Sequence, residues 1–140
     1  MLKPVIQQEK TGCGIAAAAT LLGTTYPEMK TIANAMGIYA EDESLWSDTG
    51  YVRRLLTAAG VQVAAKETSF ECWDALPDLA LLPIKHHQVE GRQFWHWTVF
   101  VRVDGQPYVL DSASYLPSNV REDFAAMQPE WFIEVVVPCS

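Results

Sequence analysis

A cysteine between two glycines is the first feature of this sequence that suggests chemistry. Cys13 stands immediately before an alanine-rich stretch, residues 15–22, and Gly23 follows that stretch. Alanine favours helix and glycine often ends one, so the sequence predicts a helix over residues 13–22. The free N–H groups and the positive dipole end at a helix start favour thiolate over thiol. Cys13 is therefore a candidate nucleophile.

A histidine and an aspartate are expected to meet across a hairpin in the second half of the chain. Strand alternation in the segment Phe-Trp-His-Trp-Thr-Val-Phe puts His96 and Thr98 on one face. The dipeptide Asp104-Gly105 is a strong signal for a two-residue hairpin turn. Such a turn pairs Thr98 with Asp111, diagonally across from His96, although a bulge or a three-residue turn would shift this register. We therefore expect Asp111 to lie within hydrogen-bonding reach of His96.

Together these three residue types supply the parts of a thiol-dependent acyl transfer. Cys13 provides the nucleophile, His96 the base that takes its proton, and Asp111 the acceptor that orients the imidazole. Negative charge also develops on the carbonyl oxygen, and a side-chain amide near the nucleophile can donate a hydrogen bond to it. Gln7 and Gln8 are both candidates for this donor.

The motifs that carry these residues resemble those of the double-glycine leader peptidase family, papain-like domains best known for processing bacteriocin precursors in bacteria. The resemblance implies that Cys13 is the nucleophile and His96 the base. It further implies that Asp111 orients the histidine and that Gln7 is the oxyanion donor. The matching motifs are Gln7-x5-Cys13-Gly14, His96-Trp97-Thr98-Val99 and Val109-Leu110-Asp111.

The sequence departs from this family pattern at three points. Gly12 replaces the aspartate often seen before the cysteine, Ser112 replaces the proline usual after the aspartate, and no transporter region follows. We therefore expect a stand-alone cysteine peptidase-like hydrolase that cleaves a peptide or amide bond through a thioacyl intermediate. Two alternatives stay open: an inactive peptidase-like domain that binds a peptide, and an acyltransferase or deamidase on the same scaffold.

The order of the predicted elements indicates the fold class. Helices come first and antiparallel strands follow, which is typical of an α+β domain, and the resemblance implies that residues 1–140 form one papain-like domain. The second helix is expected to pack through Met29, Ile32, Ala33 and Met36. The predicted helices span residues 13–22 (N-cap Thr11), 27–36, 49–59 and a short segment capped by Ser69; the predicted strands span 61–63, 79–84 (irregular at Pro83), 94–103, 107–111 and 131–137.

Composition excludes several other classes of function. A net charge of −7 without any basic run argues against nucleic acid, and no apolar stretch is long enough to insert in a membrane. We expect a peptide or protein substrate, no cofactor, and a cytoplasmic location because no signal peptide is visible. The adjacent His86 and His87 lack further ligands at suitable spacing for a metal, and Cys72 and Cys139 are expected to serve in packing.

Overall fold

Three helices precede seven strands in the computed structural model, which describes residues 2–136. This order confirms the α+β prediction. None of the helices described is long and apolar enough to cross a membrane. The predicted last strand included Val137, which lies outside the described residues. The helices are α1 (Cys13–Leu22), α2 (Tyr26–Ala35) and α3 (Gly50–Ala58), and the strands are β1 (Gln62–Val63), β2 (Thr68–Ser69), β3 (Leu79–Val89), β4 (Arg92–Val103), β5 (Gln106–Asp111), β6 (Val120–Arg121) and β7 (Trp131–Val136).

The strands form an antiparallel sheet in the order β1-β7-β3-β4-β5-β6, and β2 pairs with β7 as well. Alternation along the central strands divides the core into two parts. Leu81, Val99 and Leu110 pack with the three helices. Their neighbours Leu82, Phe100 and Val109 face the other way and pack with two short 3₁₀ segments, Trp73–Ala75 and Phe124–Ala126. The central strands are therefore buried on both faces, and α1 packs directly against β4.

The hairpin between β4 and β5 has the register that the sequence predicts. Asp104 and Gly105 both have positive φ angles, 51° and 81°, as a two-residue turn of the primed type requires. Val103 pairs with Gln106, and Thr98 pairs with Asp111. Strand β5 ends at Asp111, opposite Thr98 of β4. The part of β4 that precedes Thr98, which includes His96, therefore does not pair with β5.

Three local predictions were wrong. Gly12, rather than Thr11, is the N-cap of α1, because the Gly12 carbonyl accepts the first helical hydrogen bond from Ala16. Ser69 does not cap a helix, since it belongs to β2 and pairs with β7. The irregularity of β3 falls between Ile84 and His87 rather than at Pro83, which keeps its regular partner on β4.

The apolar face predicted for α2 is only half buried. Met29 and Ala33 are fully buried, but Ile32 and Met36 are 46% and 41% exposed. Helix α2 packs on α1 at one side, so a narrower stripe than the predicted one is enough to hold it. In the third helix Val52, Leu55 and Leu56 are fully buried.

The two glycines beside Cys13 make room for two tyrosines. A Cβ on Gly12 would lie 2.1 Å from the Tyr26 hydroxyl oxygen, and a Cβ on Gly14 would lie 2.1 Å from the Tyr51 hydroxyl oxygen. Both tyrosines are buried. No side chain larger than hydrogen fits at either position without displacing a ring, so the start of α1 is fixed by close packing.

We predict that Gly12→Ala destabilises the protein by about 1–3 kcal/mol, because the added methyl group overlaps the Tyr26 hydroxyl. Denaturant unfolding measures the change. Gly50→Ala, at the start of α3, is the matched control and should be near neutral. A Cβ there would lie 3.2 Å or more from its nearest neighbours, which are the ends of flexible side chains. If Tyr26→Phe relieves none of the Gly12→Ala loss in a double mutant, the proposed overlap is not the cause.

Candidate active site

The candidate nucleophile occupies the first residue of a helix whose start has no side-chain cap. Cys13 is half-buried, Gly12 provides no capping side chain, and the first turn of α1 contains no acidic residue. The first N–H groups of a helix have no partner within the helix itself. In the described part of the chain no side chain caps them, so the helix start can accept an anionic group at the position of the sulfur.

His96 lies between Cys13 and Asp111. Its Nε2–H donates to Asp111 Oδ1 over 2.7 Å, and the nearby Cys13 contributes to raising the pKa of the ring. Because Nε2 is engaged by the carboxylate, Nδ1 is the nitrogen left to interact with the sulfur. The three residues predicted from the sequence are therefore brought together, and the carboxylate holds the ring in the orientation that this contact needs.

The environment favours the charged forms of both His96 and Asp111. Burial lowers the pKa of His96, but the hydrogen bond to Asp111 and the contact with Cys13 outweigh it and raise that pKa to about 9. Burial raises the pKa of Asp111, yet the His96 hydrogen bond, the Ala113 N–H and Arg121 together lower it to about 2. At neutral pH the histidine is therefore an imidazolium beside an ionised carboxylate.

Arg121 completes the surroundings of Asp111 and was missed by the sequence reasoning. Its Nη1 donates to Asp111 Oδ2 over 2.8 Å, while its Nη2 donates to Asp123 over 2.6 Å. Arg121 lies on β6, a strand of only two residues beside β5. A strand that short has no alternation to find. The only available signal was that a buried carboxylate needs a second charged donor, and this signal does not select one arginine.

Gln7 lies beside the site but its amide is already engaged. The Gln7 backbone N–H donates to the Ser112 carbonyl over 3.0 Å, and the Ser112 hydroxyl donates to Gln7 Oε1 over 2.7 Å. Gln7 Nε2 donates to the carbonyls of Glu9 and Lys10, at 3.1 and 2.9 Å. Both amide hydrogens thus hold the turn before Cys13. The role of Gln7 as oxyanion donor stays a prediction, and Gln8 is exposed.

Tyr51 is a further residue at the site that the sequence reasoning did not select. It is buried at the start of α3, and burial followed by the charge of Cys13 raises the pKa of its phenol well above the ordinary value. The hydroxyl therefore stays protonated next to the thiol. Tyr51 stands one turn before Leu55 on α3, which accounts for its burial, but nothing in the sequence indicated a contact with α1.

A cavity of about 500 Å³ opens beside Cys13 and His96. Its volume lies in the range of pockets that bind small ligands or single side chains. Because the candidate nucleophile lies in the wall, a substrate bound in this cavity would have its reacting carbonyl next to the sulfur. The cavity is lined by Lys10, Thr11, Cys13, Trp46, Tyr51, His87, Phe94, Trp95, His96 and Trp97.

The remaining histidines and cysteines lie apart from the triad or serve other contacts. His86 Nδ1 lies 3.1 Å from Glu130 Oε2, and within residues 2–136 no group of three or more His, Cys, Asp or Glu is placed to hold a metal ion. The predicted packing role of Cys72 is wrong, because the residue is exposed at the start of a 3₁₀ segment. Cys139 lies outside the described residues.

The chain matches no known protein-family model, and a search of curated proteins finds no similar sequence. The resemblance to double-glycine leader peptidases therefore stays an expectation carried by the motifs alone. The geometry of the site stands independently of that resemblance.

We predict that the charged histidine stabilises the fold in a pH-dependent way. The folded pKa of about 9 lies above the ordinary value of 6.5, so this contribution is complete below pH 6.5 and is lost as the pH rises to 9. The unfolding free energy of wild type minus that of His96→Gln should therefore fall by roughly 1–3 kcal/mol across this interval. Denaturant titrations at pH 6, 7.5 and 9 provide the measurement, and a difference that stays constant would contradict a charged His96.

Proposed function

We propose that this chain is a papain-like cysteine hydrolase that cleaves a peptide or amide bond through a thioacyl-enzyme intermediate. One observation supports the proposal above the others: the His96 ring is hydrogen-bonded to the buried Asp111, and it lines one cavity together with Cys13 at the start of α1. A structural role alone does not require a thiol at a helix start to lie beside an oriented imidazolium.

The proposed reaction has two steps. The Cys13 thiolate, whose proton is held by His96, attacks the carbonyl carbon, the C–N bond breaks, and His96 gives that proton to the leaving amine. A water molecule, deprotonated by His96, then attacks the thioester, and the C–S bond breaks to release the carboxylic acid. Asp111 keeps the ring in place throughout and stabilises its positive charge. The proton returns to the histidine, so the site is restored.

Negative charge on the carbonyl oxygen needs donors in both steps. The uncapped N–H groups at the start of α1 lie next to the sulfur and supply one source. The Gln7 amide, as the family resemblance implies, is the second proposed donor. For that role one of its Nε2 hydrogens has to leave the carbonyl of Glu9 or Lys10.

The proposal includes a cytoplasmic location, where thiols are kept reduced. It also includes a peptide or protein as the substrate. A binding-only domain has no physical need for the complete set of Cys13, His96 and Asp111. An acyltransferase or deamidase would share the thioacyl step and differ only in the nucleophile that ends it or the amine that leaves.

We predict that iodoacetamide alkylates Cys13 faster than Cys72 in the folded protein at pH 7. Exposure alone favours Cys72, because it is exposed whereas Cys13 is half-buried, so the reverse order requires activation of Cys13 by the helix start and His96. Mass mapping of each thiol over time gives both rates. His96→Gln is the matched variant and should slow only Cys13. Preferential labelling of Cys72 in wild type would remove the nucleophile assignment.

We predict that Asp111→Asn retains measurable turnover while Asp111→Ala is much weaker. An amide oxygen still accepts the His96 hydrogen bond, but without the charge it stabilises imidazolium less, so activity falls below wild type and the pH profile shifts. Cys13→Ala provides the background rate. A substrate library of fluorogenic peptide amides measures all variants. If Asp111→Ala equals wild type on a substrate that needs Cys13, another residue orients the histidine.

A further inference from the structure

Aromatic rings form most of the wall of the cavity beside Cys13. Tyr51 and Trp97 are buried beneath it, whereas Trp46, Phe94 and Trp95 are half-buried and present ring surface to the opening. Half-exposed rings around a concave space are apolar surface that a ligand can cover. These three rings, named the aromatic wall below, come from two separate parts of the chain.

The loop of residues 43–47 is fixed against β4 by one arginine. Arg92 donates from Nη2 to the Glu43 carbonyl over 2.8 Å and from Nε to Ser47 Oγ over 3.1 Å, and its guanidinium lies over the Phe94 ring. The Trp46 indole N–H donates to the Ala40 carbonyl over 3.1 Å. Both sides of the aromatic wall are therefore held in place, so the cavity exists before a substrate arrives.

The charges at the cavity disfavour a basic group. Although the chain carries a net charge of −7, no aspartate or glutamate of the described residues lines the cavity, and Lys10 is the lysine there. A basic side chain would thus find no carboxylate partner, and a glycine would leave the ring surfaces uncovered. A large apolar side chain removes the most aromatic surface from water.

We infer that the substrate carries an aromatic or large aliphatic side chain on the residue whose carbonyl Cys13 attacks. This inference rests on the proposed function, because it places the acyl half of the substrate against the aromatic wall while the sulfur reacts. Trp46 and Phe94, which come from separate parts of the chain, then determine specificity rather than catalysis.

Two probes of one chemistry test this inference. N-acetyl-phenylalanine chloromethyl ketone and N-acetyl-glycine chloromethyl ketone each form a bond from Cys13 Sγ to the methylene carbon and release chloride. We expect the phenylalanine probe to label Cys13 at least about 10-fold faster, after division by the rates with free cysteine. One methylene group in an apolar pocket already changes selectivity by roughly 10- to 200-fold.

Variants of the aromatic wall locate the effect. Trp46→Ala should reduce the preference to about 3-fold or less, as should Phe94→Ala, when each probe rate is divided by the iodoacetamide rate at Cys13 in the same variant. Tyr115→Ala is the matched control, because this aromatic residue is 71% exposed and does not line the cavity. If the phenylalanine probe is still preferred to the same extent in both Trp46→Ala and Phe94→Ala, the inference is wrong.

The outcomes separate this inference from the proposed function. Equal rates for the two probes, with Cys13 still labelled before Cys72, contradict the side-chain preference and leave the hydrolase proposal intact. If neither probe labels Cys13 before Cys72, the nucleophile assignment fails and the inference fails with it.

Discussion

The burial of one carboxylate constrains the arrangement of this site. Asp111 has no exposed surface, and a charge without solvent is tolerated only when its acceptor positions are filled. His96, Arg121 and the Ala113 N–H fill them. This requirement explains why a strand of two residues is kept beside β5, and why the chain turns sharply after Asp111 to bring Ala113 back to the same oxygen. The orientation of the histidine is thus a consequence of solvating a buried ion with protein groups.

The nucleophile is placed by a second set of contacts that spans almost the entire chain. Gln7 and Ser112 are 105 residues apart in the sequence and are joined by a backbone hydrogen bond and by a side-chain hydrogen bond. These bonds fix the N-terminal segment beside the end of β5. Tyr26 closes the turn before Cys13 through its hydroxyl, which donates to Glu9 over 2.6 Å. Two residues that depart from the family pattern, Gly12 and Ser112, are therefore used here as a space for a tyrosine and as a partner for the glutamine.

The sequence was most informative where structure depends on neighbours along the chain. The start of α1 at Cys13 and the pairing of Thr98 with Asp111 follow from local propensity and turn chemistry, and both are confirmed. Arg121, Tyr51 and the engagement of Gln7 could not be predicted, because each depends on segments that meet only after folding. The misplaced irregularity in β3 has the same origin, since the effect of a proline on a strand depends on which neighbouring strand its position faces.

The turn at Asp104 and Gly105 has a consequence for how this chain tolerates change in length. Exposed hairpin tips are ordinarily where insertions and deletions do least harm. Here the two-residue turn fixes the pairing of Val103 with Gln106 and of Thr98 with Asp111. One added residue that slips this register by one position sends every later side chain of β5 to the opposite face. Although this turn is exposed, a change in its length would therefore disturb the pairing of Thr98 with Asp111. A lineage that keeps this chemistry is free to vary the amino acids of the tip but not their number.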